Sequence, residues 1–284
     1  MSRPNHIEDW FTAADGRQIF YRAAVPATPR AVMLLVHGLS EHSGRYRHVM
    51  EHFAERGFAV YAPDHRGHGR SAITLGDLES IDEVVSDLGF LHRRAITAHP
   101  SLPVVVLGHS MGGLISVLYT ERTDEVAALV VNGPAMDIPD NISPLLIRLS
   151  GLLGRLVPRL GVEKFYAPDK LTRDAAVKAR VEADPLFYKG WMRARTGSEL
   201  LRGIRQATAN LSQLTLPLLV THGTGDQTVP PRASEVLFGG AASKDKTLHY
   251  FEGLLHEVHN EPEKDEVLAF WGDWLDRVLE GAAA

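Results

Sequence analysis

Residues 103–118, PVVVLGHSMGGLISVL, decide the reading of this chain: an apolar, β-branched run breaks at a glycine-flanked serine and resumes with helical character. Gly108-His109-Ser110-Met111-Gly112 fits G-x-S-x-G, a strand-to-helix elbow whose tight turn tolerates only small neighbours. Such a turn lifts the Ser110 hydroxyl to a helix N-terminus, where the dipole and free backbone N–H groups favour developing negative charge. Ser110 is therefore the candidate nucleophile. An ordinary glycine-rich strand–helix turn carries the same pattern, so the rest of the chain has to support the assignment.

Outward from the elbow, strand-like runs occupy residues 18–23, 31–36, 59–62, 104–107, 126–131, 216–221 and 247–251. Several are apolar throughout, as strands covered on both faces are, and the segments 46–55, 81–98 and 112–122 between them carry apolar residues at helical spacing. Such alternation predicts an α/β fold, a mostly parallel central sheet flanked by helices and joined by right-handed crossovers. Ligands on such sheets bind beyond the carboxyl ends of the strands. His37-Gly38, Ser110, Asp226 and His256 all follow predicted strands.

The alternation stops between about residues 134 and 214, which read as several helices without a buried strand. The predicted organisation is an α/β core over 1–133 and 215–284, interrupted by a helical cap, or lid, over 134–214. In the cap Leu145, Leu146, Leu149, Leu152, Leu153, Leu156 and Leu160 recur at helical spacing beside Arg148, Arg155 and Arg159. Two readings stay open: a cap helix packed on the body, or a partly exposed apolar face that meets lipid aggregates. Gly151, Gly154 and Pro158 predict bends or breaks in that helix.

With 284 residues and 44% hydrophobic content the chain can bury a substantial core. A net charge of −5 without a lysine-rich run gives no electrostatic footprint for nucleic acid. Zero cysteines exclude disulfides, thiolate-bound zinc and a thiol nucleophile. The first residues, MSRPNHIEDWFTAADGRQ, lack the apolar stretch of a signal peptide, and no apolar run approaches the length of a bilayer span. The expected setting is cytoplasmic or peripheral to a membrane or envelope.

A serine hydroxyl needs a base to become nucleophilic, and the base needs a carboxylate to hold its tautomer and stabilise the imidazolium. On sheets of this type the order along the chain is serine, acid, histidine. Ser110, Asp226 and His256 supply that order. Asp226 lies in the turn HGTGDQTVP, where an Asx turn is the alternative reading, and His256 lies in EGLLHEVHNEPE, where His259 is the rival. In His37-Gly38-Leu39-Ser40 the glycine lets the chain turn so that the Leu39 N–H, with the N–H of Met111, can face a substrate oxyanion. His65 and His68 show sparse metal-like spacing without a third nearby ligand, and GHSMGG lacks the Lys-Ser/Thr ending of a phosphate-binding loop, so neither a metal nor a cofactor is expected.

HGLSEHSGRY (37–46), DHRGHGRS (64–71), GHSMGG (108–113), HGTGDQTVP (222–230) and LLHEVHNEPE (254–263) together resemble the signature blocks of monoacylglycerol lipases of the bacterial branch, within the α/β-hydrolase superfamily of serine hydrolases. The similarity spans nearly the whole core. It implies a Ser110–Asp226–His256 triad, an oxyanion hole at Leu39 and Met111, and hydrolysis of a monoacylglycerol or similar single-chain lipid ester. It further implies an apolar tunnel beneath the cap for the acyl chain and a smaller polar pocket for glycerol. Glu41 and Arg45 fall at positions associated with that pocket, either contacting glycerol or bracing the loop as an ion pair. Lysophospholipase or general carboxylesterase activity fits the same pocket logic, and a non-catalytic ligand-binding protein on this fold is the alternative from another class. Oligomeric state is not legible.

Overall fold

The computed structural model describes residues 3–138, 142–164 and 166–283; the outer limits of the predicted core, 1 and 284, lie outside them. In chain order the core begins with β1 (Asn5–Thr12), β2 (Gln18–Val25), β3 (Ala31–Val36), α1 (Arg47–Glu55), β4 (Phe58–Pro63), α2 (Ile81–Ala98), β5 (Val104–His109), α3 (Met111–Thr120) and β6 (Ala128–Asn132). Next come α4 (Pro144–Leu156), β7 (Gly161–Lys164), α5 (Ala175–Ala183), β8 (Trp191–Arg193) and α6 (Ala194–Asn210). The chain closes with β9 (Leu218–Gly223), α7 (Arg232–Gly240), β10 (Lys246–Phe251) and α8 (Lys264–Ala283).

Eight strands form one sheet in the order β1-β2-β4-β3-β5-β6-β9-β10. The pairs β1–β2 and β2–β4 are antiparallel and the remainder are parallel. Every residue of β3, β4, β5, β6 and β9 is buried, which is why those strands are apolar on both faces. One face packs on α1 and α8 through Phe53, Trp271 and Leu275, and the other on α2, α3 and α7 through Leu88, Leu114 and Leu237. The predicted α/β architecture is the one observed.

Apart from shifts of one or two residues at the ends of β2, β4, β5, β6, β10, α1 and α3, three differences from the sequence reading have a physical reason. β1 was not among the predicted strands because it is a polar edge strand with only Phe11 buried. β9 starts at Leu218, two residues late, because Pro217 has no amide hydrogen for the ladder. Between β6 and β9 the chain is not purely helical: β7 and β8 pair antiparallel, but at four and three residues with no buried position they leave no readable alternation.

α4 runs from Pro144 to Leu156 without a break at Gly151 or Gly154 and ends two residues before Pro158. Its leucines divide between two faces. Leu146 and Leu153 turn inward onto a cavity, while Leu145, Leu152 and Leu156 face outward at 64, 56 and 67% exposure. Leu160 and Trp191 continue the exposed apolar surface, and Arg148, Arg155 and Arg159 stand exposed beside it. Among the described residues no helix is long and apolar enough to cross a membrane.

Candidate active site

Ser110 stands between β5 and α3 at φ 55°, a left-handed conformation that costs a residue with a side chain about 1–3 kcal/mol. The surrounding glycines explain how the strain is held. A Cβ on Gly112 would strike the carbonyls of Val36 and His37, and one on Gly113 would come within 2.9 Å of Pro134. The elbow is thus pressed against the end of β3, and only glycine lets the two backbones approach. Met111 opens α3, so its amide is one of those a helix cannot bond internally.

The loop after β10 brings His256 across the sheet. Its Nε2 is 2.9 Å from Ser110 Oγ and its Nδ1 is 2.6 Å from Asp226 Oδ2. Asn132 donates to the His256 carbonyl at 3.2 Å, and the ring lies 4.6 Å from that of His109. Burial disfavours a charged His256, but Asp226, Glu257 and Glu41 outweigh it and shift its pKa upward. His259, the rival base, lies elsewhere: it stacks on Tyr46 at 4.8 Å, and burial holds its pKa well below the ordinary value.

Asp226 uses both carboxylate oxygens. Oδ1 accepts the amides of Thr228 at 2.7 Å and Val229 at 3.0 Å, whereas Oδ2 accepts from His256 and, at 3.0 Å, from His222 Nε2. Burial alone would raise its pKa, but the two imidazoles hold it below the usual carboxylate range. His222 was part of a quoted motif but had no role in the sequence reading. Its Nε2 also faces the Val229 carbonyl at 3.0 Å, an obligate acceptor, which assigns the ring hydrogen to Nε2. Ser234 Oγ then donates to Nδ1 at 2.7 Å. His222 is thereby a fixed donor to the acid.

On the opposite side of Ser110, the turn after β3 carries Leu39. His37 braces this turn, its Nδ1 donating to the Gly38 carbonyl at 2.8 Å and its Nε2 accepting the His65 amide at 3.0 Å. His65 and His68, the pair with metal-like spacing, pack against the His37 ring at 4.1 and 5.5 Å. Ser40, at φ 70°, gives its carbonyl to the Tyr188 amide at 2.8 Å, and His42 meets Asp184 at 2.8 Å, so the β6–β9 segment grips this turn.

Glu41 and Arg45 form an ion pair at 2.7 Å, and Arg45 also makes a bidentate pair with Glu257, both bonds 2.7 Å. Glu41 further accepts from the Gly38 amide at 2.6 Å and the Tyr46 hydroxyl at 2.7 Å. The cluster ties the Leu39 turn to the His256 loop. Burial pushes the Glu41 pKa up against the pull of Arg45, whereas for Glu257 the Arg45 guanidinium overcomes burial and holds the carboxyl below its usual range. The sequence reading missed Glu257, because its partner stands 212 positions away.

Two pockets open at Ser110. The larger, about 210 Å³, runs beneath α4 and α6 and is lined by apolar groups that include Leu39, Met111, Leu146, Leu153 and Leu201. The smaller, about 20 Å³, is bounded by Glu41, His109, Tyr166, Phe187, His256 and Glu257. A chain-like group and a small polar group could thus sit on opposite sides of the serine.

A mostly parallel sheet with a serine elbow after a central strand and helices on both faces defines a serine hydrolase of the α/β-hydrolase fold. The chain belongs to the hydrolase family described as serine aminopeptidase S33, whose model matches residues 27–263. It is 41% identical over 277 residues to a monoacylglycerol lipase of Mycolicibacterium smegmatis, covering 97% of this chain and 99% of that protein. It is 31% identical over 242 residues to phospholipase YtpA of Bacillus subtilis, covering 84% of this chain and 92% of the relative. Among solved structures, the Paleococcus ferrophilus monoacylglycerol lipase superposes with a TM-score of 0.82 at 29% identity, covering 92% of this chain and 99% of the other.

Proposed function

We propose that the protein hydrolyses monoacylglycerols to glycerol and free fatty acid through an acyl-enzyme, with Ser110 as nucleophile, His256 as base and Asp226 as the orienting acid. The observation that carries this reading is the unbroken relay Ser110 Oγ–His256–Asp226, at 2.9 and 2.6 Å, placed where an apolar cavity meets a small polar pocket. His256 Nε2 takes the hydroxyl proton as Ser110 attacks the ester carbonyl, and the amides of Leu39 and Met111 receive the oxyanion. Collapse passes the proton to the glycerol oxygen. Water then enters, gives its proton to the same nitrogen and releases the acid.

In this proposal the segment 134–214 is the lid over the acyl chain, and its outward leucines rest transiently on lipid surfaces while the enzyme works from the aqueous side. The 41% relationship to a monoacylglycerol lipase and the separate acyl and polar pockets support monoacylglycerol over a broad ester range. The test is covalent labelling by a fluorophosphonate with mass-spectrometric mapping, alongside hydrolysis of monoolein. Labelling at Ser110 is expected, and Ser110→Ala should lower kcat by about 10⁴-fold or more. Ordinary turnover by the alanine variant would exclude the proposed nucleophile.

A further inference from the structure

The small pocket has an electrostatic property that shape alone does not convey. Its buried charged cluster holds two carboxylates and one guanidinium: Glu41 and Glu257 are each 2% exposed, and all of the guanidinium–carboxylate bonds from Arg45 go to these two. Each oxygen of Glu41 faces an obligate donor, Oε1 the Gly38 amide and Oε2 the Arg45 guanidinium, and the Tyr46 hydroxyl adds a third bond at Oε1, a set that suits an ionised carboxylate. The cluster therefore carries one uncompensated negative charge. Behind His256 lies a further carboxylate, Asp226, and burial keeps His109 neutral. Lys164 and Lys170 line the acyl cavity and are not on the wall of the small pocket.

A second acyl-ester substrate class differs from monoacylglycerols by a phosphate on the departing alcohol. Bringing that group into this pocket would place its negative charge beside Glu41 and Glu257, in surroundings where water screens poorly. Arg45 cannot serve as its receptor, because the guanidinium is already bidentate to Glu257 and bonded to Glu41. Resting on the functional reading above, we infer that the Glu41–Arg45–Glu257 cluster is an anion filter: the pocket admits an uncharged polyol and rejects a phosphorylated head group, with Glu257 as the specificity-determining residue. Arg45 is the positioning residue that keeps both carboxylates buried.

The test compares 1-octanoylglycerol with 1-octanoylglycerol 3-phosphate, a pair that differs only in the phosphate and has a chain short enough to be assayed as monomers. The quantity read is the ratio of their kcat/KM values at one pH, in which a change at His256 common to both substrates cancels. Wild type should favour the unphosphorylated ester by a hundredfold or more. Glu257→Gln keeps the size of the side chain and removes one charge, so it should narrow the ratio about tenfold. A filter acting by size would leave that ratio where it was. Leu171→Lys adds a cation on the wall of the same pocket and keeps all three charged side chains of the cluster; its backbone carbonyl, which accepts the Glu257 amide at 2.8 Å, is the same in either residue. It should narrow the ratio as well, and it carries the test if the glutamine variant does not fold. A wild-type ratio near one, or an unchanged ratio in a folded variant, overturns the filter while monoacylglycerol hydrolysis stands. Absence of turnover on either ester by a wild-type protein defeats the functional reading itself, and the filter with it.

Discussion

The two walls of the larger cavity at Ser110 are built by opposite means. On the core side Leu39, Ser110 and Met111 sit on turns whose backbones are in contact, with glycines at 108, 112 and 113 that admit no side chain. On the opposite side α4 has one buried residue, Gly154, and shows more leucine to solvent than to the cavity. One wall is held by backbone packing, the other by side chains at a surface. Groups that must meet within a few tenths of an ångström belong on the first, and groups that only need to be greasy and roughly placed can stand on the second.

Two glycines give the sharpest contrast. Gly112→Ala puts a methyl group into the carbonyls of Val36 and His37 and should destabilise the fold by about 3 kcal/mol, read as a lowered denaturant midpoint together with lost activity. Gly151 of α4 has nothing within 4 Å of where its Cβ would lie, so Gly151→Ala should leave activity alone and gain about 0.5–1 kcal/mol from helix propensity. If both substitutions behaved alike, the distinction between the walls would fail.

On the core wall, His222→Ala removes a hydrogen bond to the ionised Asp226 and should lower kcat/KM by about tenfold to a hundredfold, the equivalent of one charged hydrogen bond. His222→Asn tests whether a donor at that place restores part of the loss. On the α4 wall, replacing Leu152 and Leu156 by serine should weaken binding to lipid vesicles by roughly tenfold while changing stability by less than about 0.5 kcal/mol. Unchanged vesicle binding would remove the lipid-facing role of α4. Leu153 is unsuitable for that experiment because it lines the cavity.

The smallest expected effect is on pH. The base must be uncharged to accept the serine proton, and the His256 pKa is shifted upward, so activity should fall as pH drops through a value above the ordinary histidine range, about 6.5. Glu257 contributes to that upward shift, so Glu257→Gln should move the acid limb of kcat/KM to lower pH. A limb that stayed in place would show that the charge of Glu257 is not felt at the ring.

How much of this was legible in the sequence follows the same division. The inner strands could be read because burial on both faces makes them apolar throughout, and the elbow because its glycines and serine are contiguous. β1 escaped because an edge strand needs few buried residues, and β7 and β8 because they are too short for a period. Ser110 could be proposed from its glycine-flanked elbow, and Asp226 and His256 from loop placement and chain order with His259 left as a rival; the structure brings the three side chains within hydrogen-bond reach. Glu257 and His222 could not be assigned, because what they do depends on partners met only in space: Arg45 in one case, and in the other a carbonyl that decides where a hydrogen sits.

The interlocked turns also limit how such a protein can change. Because the carbonyls at the end of β3 fill the room that a side chain at position 112 would need, that position of the elbow is closed to every residue but glycine, and the turn that carries Ser110 is fixed with it. Exchanges among the outward leucines of the helix above meet no such obstacle. Divergence in substrate taste is therefore channelled into the overhanging segment, and descendants of this chain would differ in what they digest long before they differ in how they digest it.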